Sequence, residues 1–262
     1  MVLPLLAGSA GGTRLYPGRV CTVIIGFDPT ADWPVVLLGL RDEAVDRPWD
    51  APGAWWPELG DAVRGVHDRE AGGAWLATNA EPARAAVVLN RHEVVAEPAD
   101  GYISRGALPL DSVTGSLGEP SDPRFRSYNL VELTPESVRF TRWDGRAVTS
   151  TELPPGVHMI THEGPDVASV PRELRWLPEF QAAARPTGVL DSGSWQPWLG
   201  VLADSSSLST SDDQALFRSD VIDGHHYASL SVSTLALQPG RVDLRHARLD
   251  HPGHLEGGLH WG

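Results

Sequence analysis

The sequence contains no lysine, and all 21 of its basic side chains are arginines. That absence removes a Schiff-base lysine, a side-chain amine nucleophile and the lysine of a phosphate-binding loop. Cysteine occurs once, as Cys21. One thiol excludes an intrachain disulfide and any multi-cysteine zinc centre, and it fits a reducing compartment, so the expected location is cytoplasmic. Positive charge is scarce as well: 34 acidic residues outweigh the arginines and leave a formal charge of -13. A phosphate backbone is repelled over most of such a surface, so nucleic acid is not an expected partner. Long apolar runs are also missing. Stretches such as Val35 to Leu40 fall far below the length of a bilayer span. The opening Met1-Val2-Leu3-Pro4-Leu5-Leu6 has no cationic lead, is broken at Pro4 and ends at Gly8, which does not fit a secretory signal.

What is present suffices for one domain with a real core, since 41% of the 262 residues are apolar and no Pro/Ser or Gly/Ser linker divides them. Residues 1–19 are small, Gly-rich and aperiodic, and are expected to be a non-native or disordered extension. From Val20 the pattern changes abruptly. Short runs rich in β-branched or aromatic residues predict strands at Cys21–Phe27, Pro34–Leu40, Gly73–Thr78, Ala85–Leu89, Tyr128–Leu133, Val138–Trp143, Gly156–Thr161, Tyr227–Leu237 and Arg241–Ala247. The last two flank Gln238-Pro239-Gly240, a hairpin signal. Three prolines between Pro48 and Pro57 predict an ordered aromatic loop. Leu174, Leu177 and Phe180 recur at three-residue steps behind Pro171 and predict a helix over Arg172–Ala184; a second, weaker helical pattern covers Asp213–Ile222. Strands dominate both ends and alternating βαβ units are absent, which argues for an α+β domain over residues 20–250 with mainly antiparallel sheets. His251 to Gly262, rich in His and Gly, is expected to be a mobile tail.

Two features carry chemistry. Cys21 heads the first predicted strand, and Leu40-Arg41-Asp42-Glu43 closes the second. Alone, the charged triplet reads as a solvated strand end and the thiol as core filler. Together, a thiol followed one strand later by a cation and an anion describes a nucleophile with its charge environment supplied. Adjacent strand residues face opposite ways, so Arg41 and Asp42 serve one site only if the strand ends or bulges there. The histidines near the C-terminus, His246, His251, His254 and His260, form no metal-type spacing, and no metal is expected. No G-x-S-x-G elbow accompanies the serines.

These elements resemble the NRDE family, which includes the transport and Golgi organisation protein 2 homologues. Members typically begin Met-Cys, enter a hydrophobic strand and carry Asn-Arg-Asp-Glu at the end of the next; here the counterparts are Val20-Cys21-Thr22-Val23-Ile24-Ile25 and Leu40-Arg41-Asp42-Glu43. Arg47-Pro48, Gly72-Gly73-Ala74-Trp75-Leu76-Ala77 and Val88-Leu89-Asn90 follow in the family's order, with weaker echoes at Ser104-Arg105-Gly106, Tyr128-Asn129-Leu130, Leu153-Pro154-Pro155-Gly156 and Tyr227 to Leu235. The resemblance implies the four-layer αββα sandwich of the N-terminal-nucleophile hydrolases. In that fold the nucleophile is the first residue, because a thiol of pKa about 8.5 needs a base and a free α-amine of pKa about 8 supplies it. Cys21 therefore becomes competent only when the preceding residues are absent. Val20 occupies the place of the family's initiator Met, and GTG, a valine codon, is also a bacterial start codon, so the true start is expected at Val20 rather than Met1.

The resemblance suggests roles for three further residues. Arg41 would hold the thiolate, Asp42 would bind the protonated α-amine, and a donor near Asn90 would stabilise the oxyanion. Three positions depart from the family pattern: Leu40 replaces the leading Asn, His162 stands where an Asn is common, and Leu230 where an Arg is common. Three readings stay open. One is a cysteine amidohydrolase cleaving a non-peptide C–N bond of a small-molecule amide, with no cofactor required. Another is a non-catalytic carrier or chaperone for a hydrophobic small molecule such as haem or an acyl lipid, because the resemblance implies links to haem trafficking and lipid homeostasis. The third is a scaffold with a decayed site.

Overall fold

Every residue from Thr22 to Phe27 is buried, which marks a strand covered on both faces, and the whole architecture follows from that demand for two partners. The computed structural model describes residues 21–262 apart from Val94 and Glu119; the expected extension over 1–19 and the proposed start at Val20 lie outside the described residues. In chain order the elements are β1 (Thr22–Phe27), β2 (Val35–Ala44), β3 (Trp49–Gly53), β4 (Val63–Asp68), β5 (Ala74–Ala80), β6 (Ala83–Asn90), α1 (Ala107–Thr114), β7 (Tyr128–Leu133), β8 (Val138–Trp143), β9 (Val148–Glu152), β10 (Gly156–Ile160), α2 (Pro171–Ala182), α3 (Gln196–Ser205), β11 (Ser219–Ile222), β12 (His225–Gln238) and β13 (Arg241–Arg248).

These strands form two antiparallel sheets. One runs β10-β1-β2-β12-β11, with β13 also paired to β12, and the other runs β3 through β9 in sequence order. Alternation divides the side chains among three apolar layers. Val23, Ile25, Leu37, Leu235, Leu76, Val87 and Val131 meet between the sheets. Ile24, Leu38, Leu40 and Val232 turn outward against Trp176, Phe180, Trp198 and Leu202 of α2 and α3. On the other side Ala86, Val88, Tyr128 and Leu130 meet Leu108, Leu110 and Val113 of α1. The arrangement is an αββα sandwich of the α+β class. No helix among the described residues is long and apolar enough to cross a membrane.

All nine strands predicted from the sequence are present. The differences lie where side-chain periodicity is weak. The Pro48–Pro57 stretch opens with β3 rather than remaining a loop: Trp49 is buried between the sheets, and Pro52 is tolerated because β3 is an edge strand. Asp213–Ile222 is not helical. Ala215, Leu216 and Phe217 are buried as a connector, and Ser219–Ile222 pairs with β12 as a hairpin. Asp223 and Gly224 both have positive φ, 51° and 81°, the two-residue turn whose twist matches the flanking strands. The stretch expected to be a tail is docked instead. Trp261 bridges Ala247, Gly253 N–H donates to Ser229 O at 2.8 Å, and Leu255, Leu259 and Trp261 pack on the outer apolar layer.

One close approach fixes the loop before α1. Ala74 N–H donates to Gly106 O at 2.8 Å, and a Cβ on Gly73 would lie 2.6 Å from Gly106 Cα, a clash with backbone rather than with a movable side chain. Gly73→Ala is therefore expected to lower the urea unfolding free energy by roughly 1–3 kcal/mol. Gly200→Ala, in α3 with no atom within 4 Å of the new Cβ, is expected to raise it by about 0.5–1 kcal/mol. Paired denaturation curves check both signs.

Candidate active site

Cys21 immediately precedes β1 and is 6% exposed, packed within the inter-sheet layer. Its thiol donates weakly to Asp42 O at 3.7 Å. Burial, followed by the charge of Asp42, pushes the thiol pKa up to about 12. With its nitrogen in a peptide bond, this is a protonated, poorly nucleophilic thiol.

The tetrad lies inside β2 rather than at its end, and alternation sends its two central side chains to different faces. Arg41 follows Leu37 and Gly39 toward the inter-sheet layer, where its guanidinium lies 5.4 Å from the Trp49 ring; Nη2 is 3.5 Å from Glu43 Oε2, and Nη1 is buried without a partner. Asp42 follows Leu38 and Leu40 toward the helices. Ser229 Oγ donates to its Oδ1 at 2.6 Å, Arg172 Nη1 of α2 stands 3.8 Å from Oδ2, and Oδ2 is buried without a hydrogen bond. Desolvation outweighs the pull of Arg172, of the Ser229 bond and of Arg218, and raises the Asp42 carboxyl to about 7. The irregularity that the alternation problem requires is on the neighbouring strand: Ser229 pairs with Asp42 and Ser231 with Arg41, leaving Leu230 as the extra residue of a bulge.

A cavity of about 640 Å³ opens where β2 and β12 meet β4, β5, β6 and the loop before α1, and Cys21, Arg41, Asp42 and Asn90 all line it. The structure thus brings the four candidate residues of the sequence together. Their approaches differ. Asn90 pairs with Tyr128, whose ring belongs to the layer against α1, so Asn90 enters from the outer face of the second sheet while Cys21 enters from between the sheets. Arg47, Asp68 and Glu70 add a charged wall in which Arg47 bonds Asp68 at 2.7 Å and Glu70 at 3.1 Å. Val66, Trp75, Val88 and Ile103 give the cavity an apolar side.

The departures from the family pattern find separate explanations. Leu40 is fully buried against α2 and α3, where it continues the apolar layer of Leu38 and Val232. Leu230 fills the inter-sheet layer beside Cys21. His162 is not among the residues lining the cavity; it stacks on His92 with ring centroids 4.2 Å apart, and desolvation, His92 and two arginines push its pKa down to about 3. The imidazole is therefore neutral and part of the packing. Residues that sequence reasoning missed include Arg172 and Ser229, the clamp on Asp42, and Arg105 and Arg126 on the cavity wall. For Arg172 a signal existed: an arginine one residue after the Pro171 that starts an amphipathic helix, on a face that buries Trp176 and Phe180. Among the described residues no group of three or more His, Cys, Asp or Glu is placed to hold a metal ion.

Comparison with known families supports the sequence resemblance. The model of the family described as Transport and Golgi organisation 2 matches residues 20–166, more than half of the 262 residues and a span that includes Cys21, the tetrad and Asn90. No curated protein matches the chain.

Two outcomes follow from this geometry. In the chain with Cys21 in peptide linkage, iodoacetamide at pH 8 is expected to label Cys21 more than about a hundredfold slower than a free peptide thiol, since the thiolate fraction is that much smaller; mass spectrometry over time measures it. The neutral His162 binds fewer protons when folded than when unfolded, so its contribution is intact above about pH 6.5 and is lost as pH falls toward 3. His162→Leu is expected to flatten that acid limb by on the order of 2 kcal/mol, read from denaturation midpoints at pH 7 and pH 4.

Proposed function

The chain belongs to the Transport and Golgi organisation 2 family, and from that premise we propose that it is a cysteine amidohydrolase acting on a non-peptide C–N bond of a small-molecule amide. The observation that carries this reading is the convergence of Cys21, Arg41, Asp42 and Asn90 on one cavity. The reaction requires the α-amine of Cys21 to be free. That amine takes the thiol proton, and Sγ attacks the amide carbonyl carbon to form a tetrahedral oxyanion. The α-ammonium returns its proton to the departing nitrogen as the C–N bond breaks, leaving a thioester and a free amine product. Water then attacks the thioester carbonyl, giving up a proton through the α-amine, and the C–S bond breaks to release the acid and restore the thiol.

Each residue has a part fitted to its surroundings. Asp42 has one buried oxygen without a hydrogen-bond donor, the kind of acceptor that an α-ammonium satisfies. A cation there would hold the Asp42 carboxyl ionised and relieve its burial. Arg41, with Nη1 likewise buried and unpartnered, stabilises negative charge on sulfur, and Asn90 supplies an amide donor for the oxyanion.

The apolar side of the cavity, Val66, Trp75, Val88 and Ile103, favours a second reading, a carrier for a hydrophobic small molecule such as haem or an acyl lipid. This reading needs no free amine.

The two separate experimentally. Protein beginning at Cys21 is expected to react with a thiol-directed acyl probe at pH 7 and to turn over a panel of simple fatty-acyl amides. Cys21→Ser and chemical acetylation of the amine should each abolish labelling, and Arg41→Gln or Asn90→Ala should slow it by roughly 10²–10³-fold. Labelling no faster than a free peptide thiol overturns the hydrolase reading. A shift of the haem absorption band at micromolar haem, with no acyl labelling, supports the carrier instead.

A further inference from the structure

The charges lining the cavity do not cancel locally. Arg47 is engaged by Asp68 and Glu70, Arg41 by Glu43, and Asp42 by Arg172. Arg105 and Arg126 line the same cavity, and neither forms an ion pair among the described residues. Arg105 Nη1 donates to Ser127 O at 2.8 Å, which uses one of the five N–H groups of its fork. The Arg126 guanidinium lies 4.4 Å from the centre of the Tyr102 ring, and Tyr102 is held in turn by its hydroxyl donating to Val95 O at 2.5 Å. Neither guanidinium is loosely placed. Arg105 is carried by the loop whose backbone is pressed onto Gly73, and Arg126 is seated on an aromatic face.

Two neighbouring guanidinium groups repel each other, and burial adds to the cost for Arg105, whose pKa falls to about 10 through desolvation and then the charge of Arg126. The Glu43 carboxylate offsets part of that cost at Arg105, but no carboxylate among the described residues forms an ion pair with either guanidinium. An oxyanion between the two forks would, because planar donors in pairs match carboxylate and phosphate oxygens. Cys21, Arg105 and Arg126 line one cavity, so a ligand whose anion is held by the two arginines lies in the space that the thiol faces.

We propose that Arg105 and Arg126 form an oxyanion subsite in the Cys21 cavity, and that the ligand is an amide carrying a carboxylate or phosphate group. The inference deepens the hydrolase reading and rests on it for the word amide; the subsite itself holds whether or not turnover occurs. Arg105 and Arg126 position the ligand by its charged end, leaving its reacting carbonyl to Cys21.

The test uses two alkylating reagents of similar size, iodoacetate and iodoacetamide, on the full chain at pH 9. The ratio of their labelling rates at Cys21, divided by the same ratio for a free peptide thiol, cancels thiol acidity and access and leaves the effect of the carboxylate. That normalised ratio is expected to be at least about tenfold above one, in the range of charge-focused association. Arg105→Gln with Arg126→Gln should bring it down to the background set by Arg41, a loss of at least about fivefold on the same electrostatic grounds. Arg126→Gln alone, at an exposed position, should give a partial loss and keeps the test independent of folding defects at Arg105. Millimolar inorganic phosphate that suppresses iodoacetate labelling more strongly than acetate does identifies phosphate as the preferred group; the reverse order identifies carboxylate. A wild-type ratio near one, or a raised ratio that both variants leave unchanged, overturns the proposal. Failure of the acyl probe with the ratio intact overturns hydrolysis and leaves the subsite standing.

Discussion

Asp42 is a carboxylate shut inside the outer face of a sheet, and the rest of the site is arranged around the cost of keeping it there. Burial of an isolated carboxylate is expensive, and a protein meets that expense by pairing it, by hydrogen bonding it or by leaving it protonated. Here the first two are only half done. Ser229 satisfies one oxygen, Arg172 reaches toward the other from 3.8 Å, and that second oxygen has no hydrogen-bond donor. Arg172 is itself buried and also donates to Thr22 Oγ1 at 3.1 Å, next to Cys21 in the chain. A helix, two neighbouring strands and the thiol's own strand are thereby tied to one carboxyl group.

The same strand that buries Asp42 outward turns Arg41 inward, and strand alternation makes this unavoidable. The bulge at Leu230 absorbs the mismatch on β12, keeping Ser229 opposite Asp42 while the ladder beyond continues in register. The consequence is a division of labour across the thickness of the sheet. Arg41 and the thiol share the layer between the sheets, while the Asp42 carboxyl stands behind them with its backbone carbonyl facing Cys21 Sγ. Asn90 arrives from the second sheet. Closing such a site requires both sheets, the loop pressed onto Gly73 and the helix bearing Arg172, which is why the fold and the chemistry are hard to separate.

Much of the fold was legible because a sandwich covers its central strands on both faces, as at Thr22–Phe27 and Ala74–Asn79, and such strands stand out as short runs rich in apolar, β-branched and aromatic residues. β3, β4, β9 and β11 were not, since an edge or half-exposed strand such as Val148–Glu152 needs no continuous apolar run. The short helix α1 escaped for the opposite reason: nearly every residue of Leu108 to Val113 is buried, and uniform burial leaves no 3.6-residue stripe. The C-terminal stretch looked like a tail by composition. Trp261, Leu255 and Leu259 dock it nonetheless, because three spaced apolar residues can find a groove that composition does not describe.

The sequence by itself determined the α+β class with mainly antiparallel sheets, because strand patterning is local, and its motifs, Cys21 and the tetrad foremost, carried the family resemblance that implied the sandwich and pointed to Asn90. Tertiary structure decided what those residues face. It set Asp42 and Arg41 on opposite sides of one strand, removed His162 from the cavity into a stack with His92, and brought Arg172, Ser229, Arg105 and Arg126 to positions that no spacing near Cys21 announces. The physical reason is that burial and charge pairing depend on which surfaces meet across tens or hundreds of residues of chain, and the pairing of Arg172 with a carboxylate on β2 exists only once the helix has packed.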